Sequence, residues 1–205
     1  MSESDLHHLL KRIGVALLIR KGCSPVGMEI RLPTWERGRW QRPRDKKVNA
    51  RPFDFGMELP PSEIGITDAA GVIWIHPERN DLYRVERVQG IFAIEAKVSR
   101  SDFQHGFCTH GWNKMWILSP PDMLDPQELP PGVGHYEYDP DKGTVALRAQ
   151  AALRPFEPSE YAVEQMRESI LWQGYGASVA HIYKDERVRK VLGWVDIQDS
   201  PEAEG

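Results

Sequence analysis

Cysteine is scarce: the 205 residues contain only Cys23 and Cys108, in no Cys-x-x-Cys pair and with no histidines at zinc-finger spacing. This argues against a disulfide framework or structural zinc and predicts two separate reduced thiols. Long apolar runs are missing too. The longest near the start, Gly14 to Ile19, is hemmed in by Lys11, Arg12, Arg20 and Lys21, and it falls far short of the roughly 20 apolar residues that cross a bilayer. The first residues do not follow the basic, apolar, small-residue order of a secretory signal, so the expected location is the cytoplasm, with no membrane partner. Excess positive charge is also absent. A net charge of -4 argues against a chain that coats nucleic acid non-specifically, so any DNA contact must come from local patches.

At 40% hydrophobic content the chain has enough apolar material for one core. From Asp5 to Lys21, Leu6, Leu9, Leu10, Ile13 and Leu17 recur at helical spacing, with Ser4 or Asp5 as the cap. Gly22 to Gly27 break this helix, and Met28 to Leu32 alternates like a half-buried strand, with Glu29 and Arg31 on one face. Residues 33–61 read as a long polar loop inserted in the core. Its Arg42, Arg44, Lys46 and Lys47, interleaved with Trp35 and Trp40, suit a nucleic-acid backbone and its exposed bases. The bland alternative is a solvated face.

Ile64 to Ile75 reads as a strand with Gly71 as a turn or bulge, and 76–89 as a charged connection or hairpin. Gly90 to Val98 reads as a buried strand interrupted by one acid and one base. A helix from Ser99 through Phe103 and Phe107, then a strand from Trp112 to Leu118, makes a crossover unit. His135–Tyr138 and Thr144–Arg148 extend the sheet. Helices are expected over 156–195, from Pro158 to Leu171 and from Ala177 to Leu192, with an acidic tail at 196–205. His105 and His110 read as surface or helix-packing histidines, His7 and His8 on the first helix suggest nothing particular, and Trp112 and Trp116 read as core.

The interruption is the informative feature. Residues two apart on a strand share a face, so Glu95 and Lys97 emerge together from an apolar ribbon. A carboxylate with the Ala96 carbonyl can hold a hard divalent ion, Mg2+ or Mn2+, while the lysine orients or deprotonates water for phosphodiester hydrolysis. Asp68 is the best second carboxylate, because an antiparallel neighbour would bring it beside Glu95; Glu29 is next. A structural ion pair is the competing reading. Ser99 and Asp102 can contact a substrate phosphate, brace Lys97, or cap a helix.

The string Ile94-Glu95-Ala96-Lys97-Val98-Ser99-Arg100-Ser101-Asp102-Phe103 resembles the signature of the MmcB-like branch of the PD-(D/E)xK nuclease superfamily. The strand from Asn113 to Pro121 and the Glu128-Leu129-Pro130-Pro131-Gly132-Val133-Gly134 loop are similar to that family as well. The resemblance spans about residues 6–155 and implies an α/β restriction-endonuclease-like mixed sheet flanked by helices, with a C-terminal helical extension. It implies a metal-dependent deoxyribonuclease in a DNA-repair or phage setting, with DNA as partner and the oligomeric state open, a dimer included. It matches Asp68 and Glu29 to the family's acidic positions and places Ser99, Arg100 and Asp102 in its signature. The Asp68 to Glu95 separation exceeds the usual one, which implies an extended hairpin or a different acid, Asp81 before Asp54. A non-catalytic module that keeps the fold and binds DNA or a protein is the rival expectation.

Overall fold

The computed structural model of the chain describes residues 2–31, 39–40, 66–75, 88–108, 112–153, 182 and 184–193. Arg42, Arg44, Lys46, Lys47, Trp35, Asp54, Asp81, His110, the helix expected over Pro158–Leu171 and the acidic tail all lie outside them. Among the described residues no helix is long and apolar enough to cross a membrane.

Helix α1, Glu3–Arg20, buries Leu9, Leu10, Ile13 and Leu17, as the spacing predicts. Its cap differs from the expectation: Ser2 Oγ accepts from the Asp5 amide at 3.1 Å, and the Asp5 carboxylate accepts from the Ser2 amide at 3.2 Å. This reciprocal box satisfies two donors that the helix start would leave open, which neither Ser4 nor Asp5 alone as the cap would do.

The remaining elements in chain order are β1 Val26–Arg31, β2 Arg39–Trp40, β3 Ile66–Ile75, β4 Val88–Ala96, α2 Arg100–Gln104, β5 Phe107–Cys108, β6 Lys114–Ser119, a 3-10 turn at Pro126–Glu128, β7 Gly134–Asp139, β8 Thr144–Ala149 and α3 Glu186–Gly193. Six strands form one sheet in the order β1-β3-β4-β6-β7-β8. The pairs β1/β3, β3/β4 and β7/β8 are antiparallel, while β4/β6 and β6/β7 are parallel. The architecture is therefore α/β, a mixed sheet flanked by helices. A short second pairing joins β2 to β5, so the stretch read as an uninterrupted loop over 33–61 contributes a strand.

Alternation along β4 sorts its side chains into two layers. Phe92, Ile94 and Ala96 pack with α1 and α3. Ile91 and Ala93 pack on the other side with Phe103 of α2, Phe107 and Trp112. The strand runs two residues earlier than expected at both ends, leaving Lys97 just beyond it. α2 is shorter than expected, because Gly106 at φ 82 turns the chain and sends Phe107 into β5. A helix of this length is not stable alone, but burying Phe103 contributes about 1.5–3 kcal/mol.

Two glycines allow close approaches. A Cβ on Gly14 would stand 3.2 Å from Ile94 Cγ2 and 3.4 Å from Ala69 Cβ, so α1 lies tight on β3 and β4. Gly71 is neither turn nor bulge. It is paired with Val26 and Phe92 inside β3, and a Cβ there would come within 2.7 Å of Cys23 Cβ. Overpacking of this kind costs about 1–3 kcal/mol, so Gly71→Ala is expected to lower the free energy of unfolding by that amount, read as a fall in the urea midpoint at unchanged m; an unchanged midpoint would show that the loop around Cys23 yields freely.

Candidate active site

The β3/β4 register Ala69↔Ile94 leads, one step further, to Asp68 opposite Glu95. Directly opposed residues of an antiparallel pair point to the same face, so the two carboxylates stand side by side at the end of β4. Both are buried, at 8% and 7% exposure. The separation in sequence is spanned by an extended hairpin paired as far as Ile75↔Val88. Asp81 lies outside the described residues.

Each carboxylate oxygen has a partner. The Ala96 amide donates to Asp68 Oδ2 at 2.9 Å, and Lys11 Nζ lies 3.0 Å from Asp68 Oδ1. Thr67 Oγ1 donates to Glu95 Oε2 at 3.3 Å, and Lys97 Nζ lies 3.4 Å from Glu95 Oε1. Lys97 also donates to Asp102 Oδ1 and to the Gly106 carbonyl, each at 3.3 Å. It is 5% exposed, so three acceptors converge on one buried ammonium.

Electrostatics separate the two acids. Burial alone would raise the Asp68 pKa, but His7 and Lys11 outweigh it and hold the carboxyl below its usual value. Burial, reinforced by the Asp68 charge, pushes Glu95 up to about 7 against the pull of Lys97. Lys11 is displaced upward: burial opposes its charge, and Asp68 and Glu29 prevail.

The sequence-predicted residues divide into three groups. Asp68, Glu95, Lys97 and Asp102 are brought together. Ser99 caps α2, its Oγ accepting from the Asp102 amide at 3.3 Å, while Asp102 also accepts from Val98 N at 3.2 Å; capping and bracing coexist. Glu29 lies in the same cross-sheet row, bracketed by Met28↔Ala69 and Ile30↔Thr67, but its φ of 54 interrupts the strand. The strand alternation is broken there: Met28 packs with the α1 layer and Ile30 with the opposite one. Arg100 turns outward to Glu128 Oε1 at 3.1 Å. The basic residues 42, 44, 46 and 47 fall outside the described segments.

Helix α1 supplies residues that the sequence reading passed over. Ser4, His7 and Lys11 fall at spacings of three and four, on one helix face. His7 Nε2 stands 3.5 Å from Asp68 Oδ2, at the long edge of hydrogen bonding, and Asp68 raises the imidazole pKa. Ser4 and His7 line an open groove of about 400 Å3 with Val98, Ser99, Ser101, Asp102 and His105. The signal available was the polar stripe, but such a stripe on an amphipathic helix ordinarily faces water.

Among the described residues no three of His, Cys, Asp and Glu are grouped as a metal site. The donors that would hold an ion are two carboxylates and the Ala96 carbonyl, a set that suits magnesium completed by water.

No family model matches the chain, and no curated protein matches it. Among solved structures it is similar to the SPO1766 protein of unknown function from Silicibacter pomeroyi, at 17% identity and a TM-score of 0.29, over 52% of this chain and 82% of that one.

The Glu95 shift has a stability consequence. Between pH 4.5 and about 7 the folded state holds a proton that the unfolded state has released, so this group makes stability fall as pH rises. Glu95→Gln removes the slope. Its stability relative to wild type is expected to climb between these pH values by on the order of 2–3 kcal/mol, at about 1.4 kcal/mol per pKa unit. Parallel urea curves at pH 5 and 8 check this, and an equal difference at both would refute it.

Proposed function

We propose that the protein is a metal-dependent nuclease that hydrolyses DNA phosphodiester bonds. The observation that carries this reading is the opposition of buried Asp68 and Glu95 with Lys97 3.4 Å from Glu95, beside an open groove. Asp68, Glu95 and the Ala96 carbonyl would hold Mg2+ or Mn2+. When bound, that ion would supply positive charge against the phosphate and lower the pKa of a bound water.

The chain's own groups do the rest. Lys97, held by Asp102 and Gly106, keeps its ammonium at the carboxylate pair, where it orients water and stabilises charge on the phosphoryl oxygens. Asp102 positions Lys97 and also fixes the start of α2, tying the lysine to the groove wall. Ser4, Ser99 and Ser101 offer hydroxyls along the groove for phosphate oxygens. The DNA-repair or phage setting rests on the resemblance of Ile94–Phe103.

One observation favours a second reading, a non-catalytic DNA-binding or partner-binding module. Lys11 and the Ala96 amide engage both Asp68 oxygens, so the site is already partly neutralised by the chain.

Cleavage of labelled single-stranded, duplex and flap DNA with Mg2+ or Mn2+ separates the two. The nuclease reading expects metal-dependent cutting that falls by at least about a hundredfold in Glu95→Ala and Lys97→Ala, as loss of one preorganised charge-stabilising group typically does. DNA binding without cutting would favour the second reading, and neither binding nor cutting would remove both.

A further inference from the structure

Strands β6 and β7 are parallel neighbours, so the chain from Pro120 to Val133 has to return along the sheet before β7 begins. Ser119 stands at the start of that loop and His135 just past its end. Both are fully buried, and Ser119 Oγ lies 2.9 Å from His135 Nε2. Between these ends the loop is packed down. Leu124 and Val133 are buried in the same layer as Phe103, and Glu128 holds the Arg100 guanidinium of α2 at 3.1 Å.

The hydrogen bonds decide which imidazole nitrogen carries the proton. A serine hydroxyl has one hydrogen, and that of Ser119 is donated to the Pro120 carbonyl at 3.0 Å. His135 Nε2 is therefore the donor to Ser119 Oγ, and Nδ1 keeps a bare lone pair. Nδ1 is buried with no hydrogen-bond partner among the described residues. A second proton can enter only there, where it would form a buried N–H without an acceptor. The charged groups on this side are Glu137 on β7, Arg148 on β8 and Asp122 after β6, with Asp139 and Lys142 paired to each other beyond them. Both Glu137 oxygens are engaged, Oε1 by the Asp122 amide at 3.1 Å and Oε2 by Arg148 Nε at 2.7 Å. Burial accordingly holds the imidazole pKa below its ordinary value against the pull of Glu137, and Arg148 adds to the effect.

We infer that Ser119 and His135 form an acid-sensitive clasp, in which the neutral, Nε2-protonated imidazole ties together the two ends of the 120–133 loop and acidification favours states with the clasp open. The inference is independent of the metal-site reading. As pH falls below about 6.5, an opened chain takes up a proton that the closed clasp refuses, so this group makes stability fall with pH. The sign is opposite to that of Glu95, and a variant is needed to separate the two.

The test uses the full-length protein. Nitrogen NMR of 15N-histidine-labelled wild type reads the tautomer, and urea unfolding of wild type and His135→Gln at pH 8 and 5.5 reads the linkage. In the folded protein Nε2 is expected to be protonated and Nδ1 bare at both pH values. The ratio of the wild-type folding constant to that of His135→Gln is expected to fall severalfold from pH 8 to 5.5, with about tenfold as the limit for one pH unit below the ordinary imidazole value. A proton on Nδ1 of the folded protein at either pH, or a ratio that does not change, would overturn the inference. Should His135→Gln not fold, the wild-type NMR carries the test by itself.

Discussion

Two carboxylates buried opposite one another on neighbouring strands repel each other and lose their hydration together, so the chain must supply donors and positive charge around them. Much of the local architecture answers that requirement. Lys97 and Thr67 serve Glu95, while Lys11 and the Ala96 amide serve Asp68. The compensation is unequal. Asp68 is held ionised by His7 and Lys11, whereas Glu95, facing the Asp68 charge, is pushed towards neutrality. This asymmetry gives the cluster its sensitivity to pH.

The fold places this cluster by simple means. The antiparallel β3/β4 pairing aligns the two acids. The parallel β4/β6 pairing creates the crossover that returns α2 to the end of β4, where Asp102 can hold Lys97. Gly14 lets α1 lie close enough for His7 and Lys11 to reach over the sheet edge. The groove is therefore walled by α1 on one side and by the start of α2 on the other, with the acids where the strand ends. Ligand sites of open α/β sheets characteristically lie beyond the carboxyl ends of such strands.

Some of this was legible in residue order. The apolar stretches of β3 and β4 announce buried strands, and the charged pair Glu95 and Lys97 stands out because an acid and a base inside such a ribbon need a reason. Asp68 could be nominated as their partner, since only an antiparallel neighbour brings an acid from the preceding segment alongside. The helix after Lys97 was legible in type but not in extent, because Gly106 adopts a left-handed conformation that a propensity argument does not register. Gly71 was misread for a related reason: a glycine needed for close packing against Cys23 looks, in sequence, like one needed for a turn.

Local chemistry alone determined which strands are buried, which face carries the acid and the base, and that Ser99 and Asp102 could start a helix, because these depend on periodicity and on side chains a few residues apart. Only the tertiary structure decided that Lys11 and His7 belong to the site, that Arg100 does not point into it, and that Glu29 pairs with a lysine from α1. Those choices depend on how closely one helix approaches a sheet and at what rotation. The approach is set by the contacts of Gly14 with Ala69 and Ile94, which lie 55 and 80 positions further along the chain.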